Sequence, residues 1–154
     1  MAGAGKSSIG KKLANYLKFD LIDSDHLIEK NQNKSLQEVL VENGIQRFKE
    51  IEEAAILSVE FNQTVLATGG SAIFSKKAMN HIKGNSLVIY LEVSFEVIMD
   101  RIPNFSNRGF IKEADQTMKH AFNERENIYR KFADHIVTNN EGLESCFDKI
   151  LRVI

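Results

Sequence analysis

Short apolar runs that stop at polar or glycine-rich clusters, with amphipathic helical stretches between them, constrain this chain more than any other feature. Phe19-Asp20-Leu21-Ile22 ends in Asp23-Ser24-Asp25, and Thr64-Val65-Leu66-Ala67 ends in Thr68-Gly69-Gly70-Ser71. Leu87-Val88-Ile89-Tyr90-Leu91 and His135-Ile136-Val137 are further strand signals. Between them, Lys6 to Leu17 carries Ile9, Leu13, Tyr16 and Leu17 on one face at helical spacing. Ser35 with Glu38 forms a capping pair, and Ile45 to Glu60 after Gly44, Ser75 to Lys83, Ser94 to Ile102, Asp115 to Phe132 and Leu143 to Val153 read as helices. Strands alternating with helices predict an α/β fold with a parallel sheet covered on both faces. In such sheets ligands sit beyond the carboxyl ends of the strands. Three polar clusters fall at or beside those ends: Gly3 to Ser7, Asp23 to Asp25 and Gly69 to Ser71.

The 154 residues suit one domain, 1–154, with a core of its own. The formal net charge of −1 gives no bulk electrostatic case for nucleic acid or an anionic membrane. No apolar run approaches membrane-spanning length. The single cysteine, Cys146, excludes an internal disulfide framework and suits a cytoplasmic setting. A monomer is the expected state. The polar stretch from about 103 to 114 has no periodic apolar face, which in a compact domain suggests a lid.

Each cluster has chemistry to offer. Met1-Ala2-Gly3-Ala4-Gly5-Lys6-Ser7-Ser8 ends in the Gly-Lys-Ser of a phosphate-binding loop and runs straight into a helix. Backbone N–H groups of Gly3, Ala4, Gly5, Lys6, Ser7 and Ser8 would line a concavity for phosphate, as in other such loops. Lys6 would reach the terminal phosphates of ATP, and Ser7 would ligate Mg²⁺. Asp23 and Asp25 fall on one side of a strand end, one able to serve a metal's water shell and the other an acceptor hydroxyl. Asp25 could instead cap the helix that begins at His26.

Asp23-Ser24-Asp25, Phe48-Lys49-x-x-Glu52, Ala67-Thr68-Gly69-Gly70 and Asn123-Glu124-Arg125-x-x-x-Tyr129, in that order, resemble shikimate kinase over essentially the whole chain. The resemblance implies a three-layer P-loop kinase fold with the loop's own strand in mid-sheet. It implies transfer of a phosphoryl group from MgATP to the 3-hydroxyl of shikimate, in aromatic amino acid biosynthesis. By the same resemblance Asp23 would act on Mg²⁺ through water, and Asp25 would hold the substrate hydroxyls. Lys49, Gly69, Gly70, Ser71 and Arg125 would bind shikimate, in a substrate region of about 24–61 with later additions. Arg101 would lie near the adenine, and Arg108 would close on the transferring phosphate. Lys6, Asp25 and Arg108 are the expected catalytic groups. Solvated charge remains an alternative for Arg125 and Arg108, a dipole contact for Arg101, and a plain turn for Gly69-Gly70. A gluconate kinase-like enzyme, or a nucleotide-binding protein without transfer, are the rival readings of the whole.

Four departures from that pattern stand out. Lys49 replaces an arginine and loses its bidentate fork, or pairs with Glu52 or Glu53 along its helix. Ser71 replaces a glycine, which would be strained if the position needed positive φ. Gly109 follows Arg108 where proline is usual. The first loop glycine and the strand before it have no counterpart, so an apolar gap is expected between the strands at 64–67 and 87–91. The sequence thus predicts a chain shortened at its N-terminus.

Overall fold

The computed structural model describes residues 1–102, 104–105, 110–113 and 115–154. Helix α1 spans Lys6–Leu17, strand β1 Asp20–Asp23, α2 Ser24–Gln32, α3 Leu36–Leu57 and β2 Thr64–Ala67. A 3₁₀ turn at Ala72–Phe74 leads to α4 (Lys76–Asn85), β3 (Ile89–Glu92), α5 (Phe95–Arg101), α6 (Met118–Phe132), β4 (His135–Thr138) and α7 (Leu143–Ile150). The elements start where their caps demand. Ser35 and Glu38 form a reciprocal capping box on α3, and Ser75, Ser94 and Thr117 each accept a backbone N–H at the start of α4, α5 and α6. Gly44 bends α3 with φ 73° and ψ 171°, a conformation that leaves the helix and that glycine adopts without a Cβ penalty.

All strand pairing is parallel, as expected from the alternation. β1 pairs with β2 from Asp20 opposite Thr64 to Asp23 opposite Ala67, and β3 pairs with β4 from Ile89 opposite His135 to Glu92 opposite Thr138. Among the described residues no ladder joins β2 to β3, so the sheet is two separate pairs. Between them lies a groove of about 710 Å³, lined by Leu13, Val65, Leu66, Ile82, Ile89 and Tyr129 among others. The apolar gap expected from the sequence is therefore a feature of the structure.

The core divides accordingly. Ile9, Leu91, Val93, Ile98, Phe122, Val137, Phe147 and Ile150 pack around β3 and β4 with buried Cys146. Ile56, Ala72, Ile73, Ala78, Met79 and Ile82 form a second cluster, against which Leu66 of β2 packs. A third, of Val39, Phe48 and Ile111, underlies α3. Helix α1 packs on β1, β2 and α7, which brings the loop before it to the carboxyl ends of β1 and β2.

Candidate active site

Three of the predicted clusters meet. The chain enters α1 through Gly3 (φ 76°) and Gly5 (φ 88°), both in the left-handed region that favours glycine. A Cβ on Gly5 would lie 2.7 Å from Asn139 Nδ2, so this turn closes on the end of β4 as well as on the helix. Asn139 Nδ2 donates to the carbonyl of Ala4 at 2.8 Å, while its buried Oδ1 has no partner among the described residues. Gly5 caps α1 without a side-chain bond, so the N–H groups of the first turn are free of a side-chain cap. A helix start of that kind suits a phosphate. Lys6 Nζ donates to the carbonyl of Met1 at 2.8 Å. Burial draws the Lys6 ammonium below its ordinary range, opposed by Asp25, Asp23 and Glu52.

The acidic pair divides its work differently from one sequence expectation. Asp23 is the cap of α2, its Oδ1 accepting from the backbone N–H of Asp25 at 3.1 Å, and Asp25 sits in the first helical turn. Asp23 Oδ2 accepts from Ser7 Oγ at 2.5 Å, which joins the end of β1 to the loop. A hydroxyl and a carboxylate side by side form a donor set that fits Mg²⁺. Ser24 points inward and accepts the N–H of Gly69 at 2.7 Å. Burial raises the Asp25 carboxyl from its ordinary value, with Lys6 pulling the other way.

Gly69 is required by space. A Cβ there would lie 2.2 Å from Glu52 Oε1 and 2.5 Å from Asp25 Oδ1. The Gly70 carbonyl accepts from Tyr129 Oη at 2.6 Å, and Tyr129 stacks on Tyr90 with ring centroids 5.1 Å apart. Ser71 has φ −101°, so the strain expected of serine at this position does not arise. Its hydroxyl donates to Glu52 Oε2 at 2.6 Å.

Arg125 is buried, not a solvated charge: it is 2% exposed. Its guanidinium lies 4.1 Å from the centroid of Phe110, 5.4 Å from that of Phe74, and donates to the Ile111 carbonyl. Burial lowers its pKa from the ordinary value. Lys49 takes neither glutamate on its helix; its Nζ sits 4.9 Å from the Phe74 centroid. Glu52 bonds Ser71, and Glu53 bonds Ser75 and faces Lys77. Arg101 donates to the carbonyls of Gly3 at 3.2 Å and Asn139 at 2.6 Å, tying α5 to the loop and to the end of β4. Arg108, the expected lid residue, lies outside the described residues. A cavity of about 40 Å³ is enclosed by Lys6, Asp25, Glu52, Gly70, Ser71 and Arg125 with neighbouring apolar side chains.

Glu52, Ser24 and Tyr129, which the sequence offered only as motif positions, and Asn139 hold this arrangement, a role the sequence did not assign them. Glu52 had a signal: it lies four residues after Phe48 and four before Ile56, inside the buried stripe of α3.

A glycine loop opening a helix, a lysine, two carboxylates and a buried arginine at one sheet edge define a kinase of the P-loop class. The family profile described as Shikimate kinase matches residues 2–154. The chain belongs to the shikimate kinase family. It is 35% identical to a shikimate kinase of a Sulfurihydrogenibium species over 99% of this chain and 92% of that one. It is 34% identical to the enzyme of Rippkaea orientalis over 100% and 84%. The Acinetobacter baumannii shikimate kinase in complex with shikimate superposes with a TM-score of 0.88 at 28% identity, covering 98% of this chain and 87% of that one. The Aquifex aeolicus enzyme gives 0.82 at 26% identity, covering 99% and 90%. No helix among the described residues is long and apolar enough to cross a membrane.

Proposed function

We propose that this chain transfers the γ-phosphoryl group of ATP to the 3-hydroxyl of shikimate, with the residue roles that follow. The observation that carries the reading is the meeting of Lys6, Asp25, the Gly69–Gly70 turn and Arg125 around one cavity. The loop from Gly3 to Ser8 holds the phosphates with backbone N–H groups and Lys6. Ser7 and Asp23 are the groups that would hold Mg²⁺, Asp23 through water; the ion neutralises phosphate charge when bound.

Shikimate carries a carboxylate and vicinal hydroxyls, and the pocket offers a group for each. Arg125, braced between Phe110 and Phe74, presents a planar fork suited to the carboxylate, with Lys49 as a second cation. Asp25 accepts from the reacting hydroxyl, orients it and takes its proton late in the transfer. Phosphoryl transfer rests mainly on positioning and charge stabilisation, so Asp25 need not be a strong base. The Gly69–Gly70 backbone forms the floor. Arg101 holds the loop from the nucleotide side and is the candidate neighbour of the adenine. Arg108 is the proposed lid cation.

The test is a panel of hydroxy acids, shikimate and gluconate among them, incubated with MgATP and followed by ³¹P NMR. Transfer to shikimate at the 3-position, slowed by about 10²-fold or more in Asp25→Asn, is the expected outcome. Preference for gluconate, or nucleotide binding with no transfer to any acid, would replace this reading with a rival.

A further inference from the structure

The turn that leaves β2 is fastened by side chains from three helices. Ser24 of α2 takes the N–H of Gly69, Tyr129 of α6 donates to the Gly70 carbonyl, and Glu52 of α3 takes the hydroxyl of Ser71. The last contact joins two buried side chains, with Glu52 2% and Ser71 7% exposed. Glu52 uses both oxygens on the same turn. Oε2 accepts from Ser71, and Oε1 lies against Gly69, 2.2 Å from where a Cβ would stand. Lys49, one turn earlier on α3, lies over the ring of Phe74 and makes no bond to Glu52.

We propose that Ser71 is a positioning residue for shikimate, acting through Glu52 to fix the Gly69–Gly70 floor against α3. This rests on the functional reading above. A buried carboxylate with no partner would drift toward whichever cation or donor lay nearest. The charged and titratable groups around Glu52 are Lys6 of α1, Asp25 of α2 and Arg125 of α6, which line the same small cavity, and the Tyr129 hydroxyl of α6 beside them. Without the Ser71 hydroxyl, Glu52 would be left to Lys6 and Arg125, the two cations assigned to phosphate and carboxylate. The hydroxyl therefore keeps Glu52 from competing with the substrate for them. Burial raises the Glu52 carboxyl to about 7, and the Ser71 hydrogen bond is the largest influence holding it down.

Two readouts on the whole chain decide the matter. In the first, ¹³C-labelled glutamate reports the titration of the Glu52 carboxyl, with Glu52→Gln assigning the resonance. Ser71→Cys, nearly the same size with a weak donor, should move the midpoint upward, and Ser71→Thr should restore it. In the second, calorimetry gives the dissociation constants. Ser71→Cys should weaken shikimate binding about 10-fold, with a smaller loss, about threefold at most, for the ATP analogue, whose phosphates the loop N–H groups also hold. Ser71→Ala serves as a second test of the same contact.

An unmoved Glu52 titration overturns the contact. A moved titration with unaltered shikimate affinity overturns the positioning role and leaves the functional reading standing. A parent chain that binds the ATP analogue and no shikimate overturns both the substrate assignment and the role built on it, while the titration still decides the contact.

Discussion

The two sides of β2 are built in opposite ways. At its carboxyl end, Gly69 to Ser71 is held by hydrogen bonds from Ser24, Glu52 and Tyr129, each 2.6–2.7 Å long. On the flank away from β1, β2 has no ladder partner among the described residues, and an apolar groove of about 710 Å³ separates it from β3. Well-packed interiors have few voids larger than a water molecule. The contrast teaches that the Gly69–Ser71 turn, the proposed substrate floor, is held by polar contacts to helices on a strand that is unpaired on its other flank among the described residues. The glycine loop before α1, the proposed phosphate site, draws on both regions: Ser7 is tied to Asp23 at the end of β1, while Met1 and Ala4 also line the groove.

The largest expected effect comes from breaking that asymmetry. A strand of five or six apolar residues ending in glycine, added ahead of Met1, should pair with β2 and β3. Burying its side chains at ~1.5–3 kcal/mol each, less ~1–2 kcal/mol per residue for ordering the strand, should raise unfolding free energy by about 4 kcal/mol at mid-range values. Urea denaturation measures this, and an unchanged midpoint would show that the groove accepts no strand. Gly69→Ala attacks the other region. Its methyl group must displace the carboxylates of Glu52 and Asp25, so a loss of about 1–3 kcal/mol in stability and a raised shikimate KM are expected. Thermal unfolding and steady-state kinetics check the two parts.

Glu52 offers a subtler probe of the polar side. Burial raises its carboxyl from 4.5 to about 7 on folding, so between those values the folded chain holds a proton that the unfolded chain has released. The resulting stability is complete below about pH 4.5 and is lost as pH rises through about 7. Glu52→Gln should flatten that part of the pH–stability curve in urea denaturation. A parallel fall in both proteins would assign it to other groups. The smallest effect is expected at Lys49. Lys49→Arg restores a bidentate fork and should lower the shikimate KM a few-fold with little change in kcat. An unchanged or higher KM would show that the Phe74 contact already places the charge where it is needed.

Much of the fold was legible because local signals agreed with tertiary ones. The stripe of Ile9 and Leu13 gave α1, Ser35 with Glu38 gave the start of α3, and the strand endings gave the sheet edge where the site lies. The roles of charged residues were less legible. A sequence cannot tell a buried arginine from a solvated one when both neighbours are acidic, as Glu124 and Glu126 are for Arg125. That side chain is buried because α6 turns it toward Phe110 and Phe74, contacts that arise only on folding. Likewise, Asp23 rather than Asp25 caps α2, since the helix begins at Ser24, two residues before the expected His26. At Ser71, substitution for glycine suggested strain, whereas the backbone there has ordinary negative φ and the hydroxyl has a buried acceptor.

The most direct test of the account is ³¹P NMR of MgATP with shikimate, run on this chain and on the strand-extended form. The prediction is a new phosphomonoester resonance on shikimate with either protein, at least about tenfold faster with the extended one, whose loop is held from the sheet side. Release of free phosphate with no shikimate product from either form would contradict it.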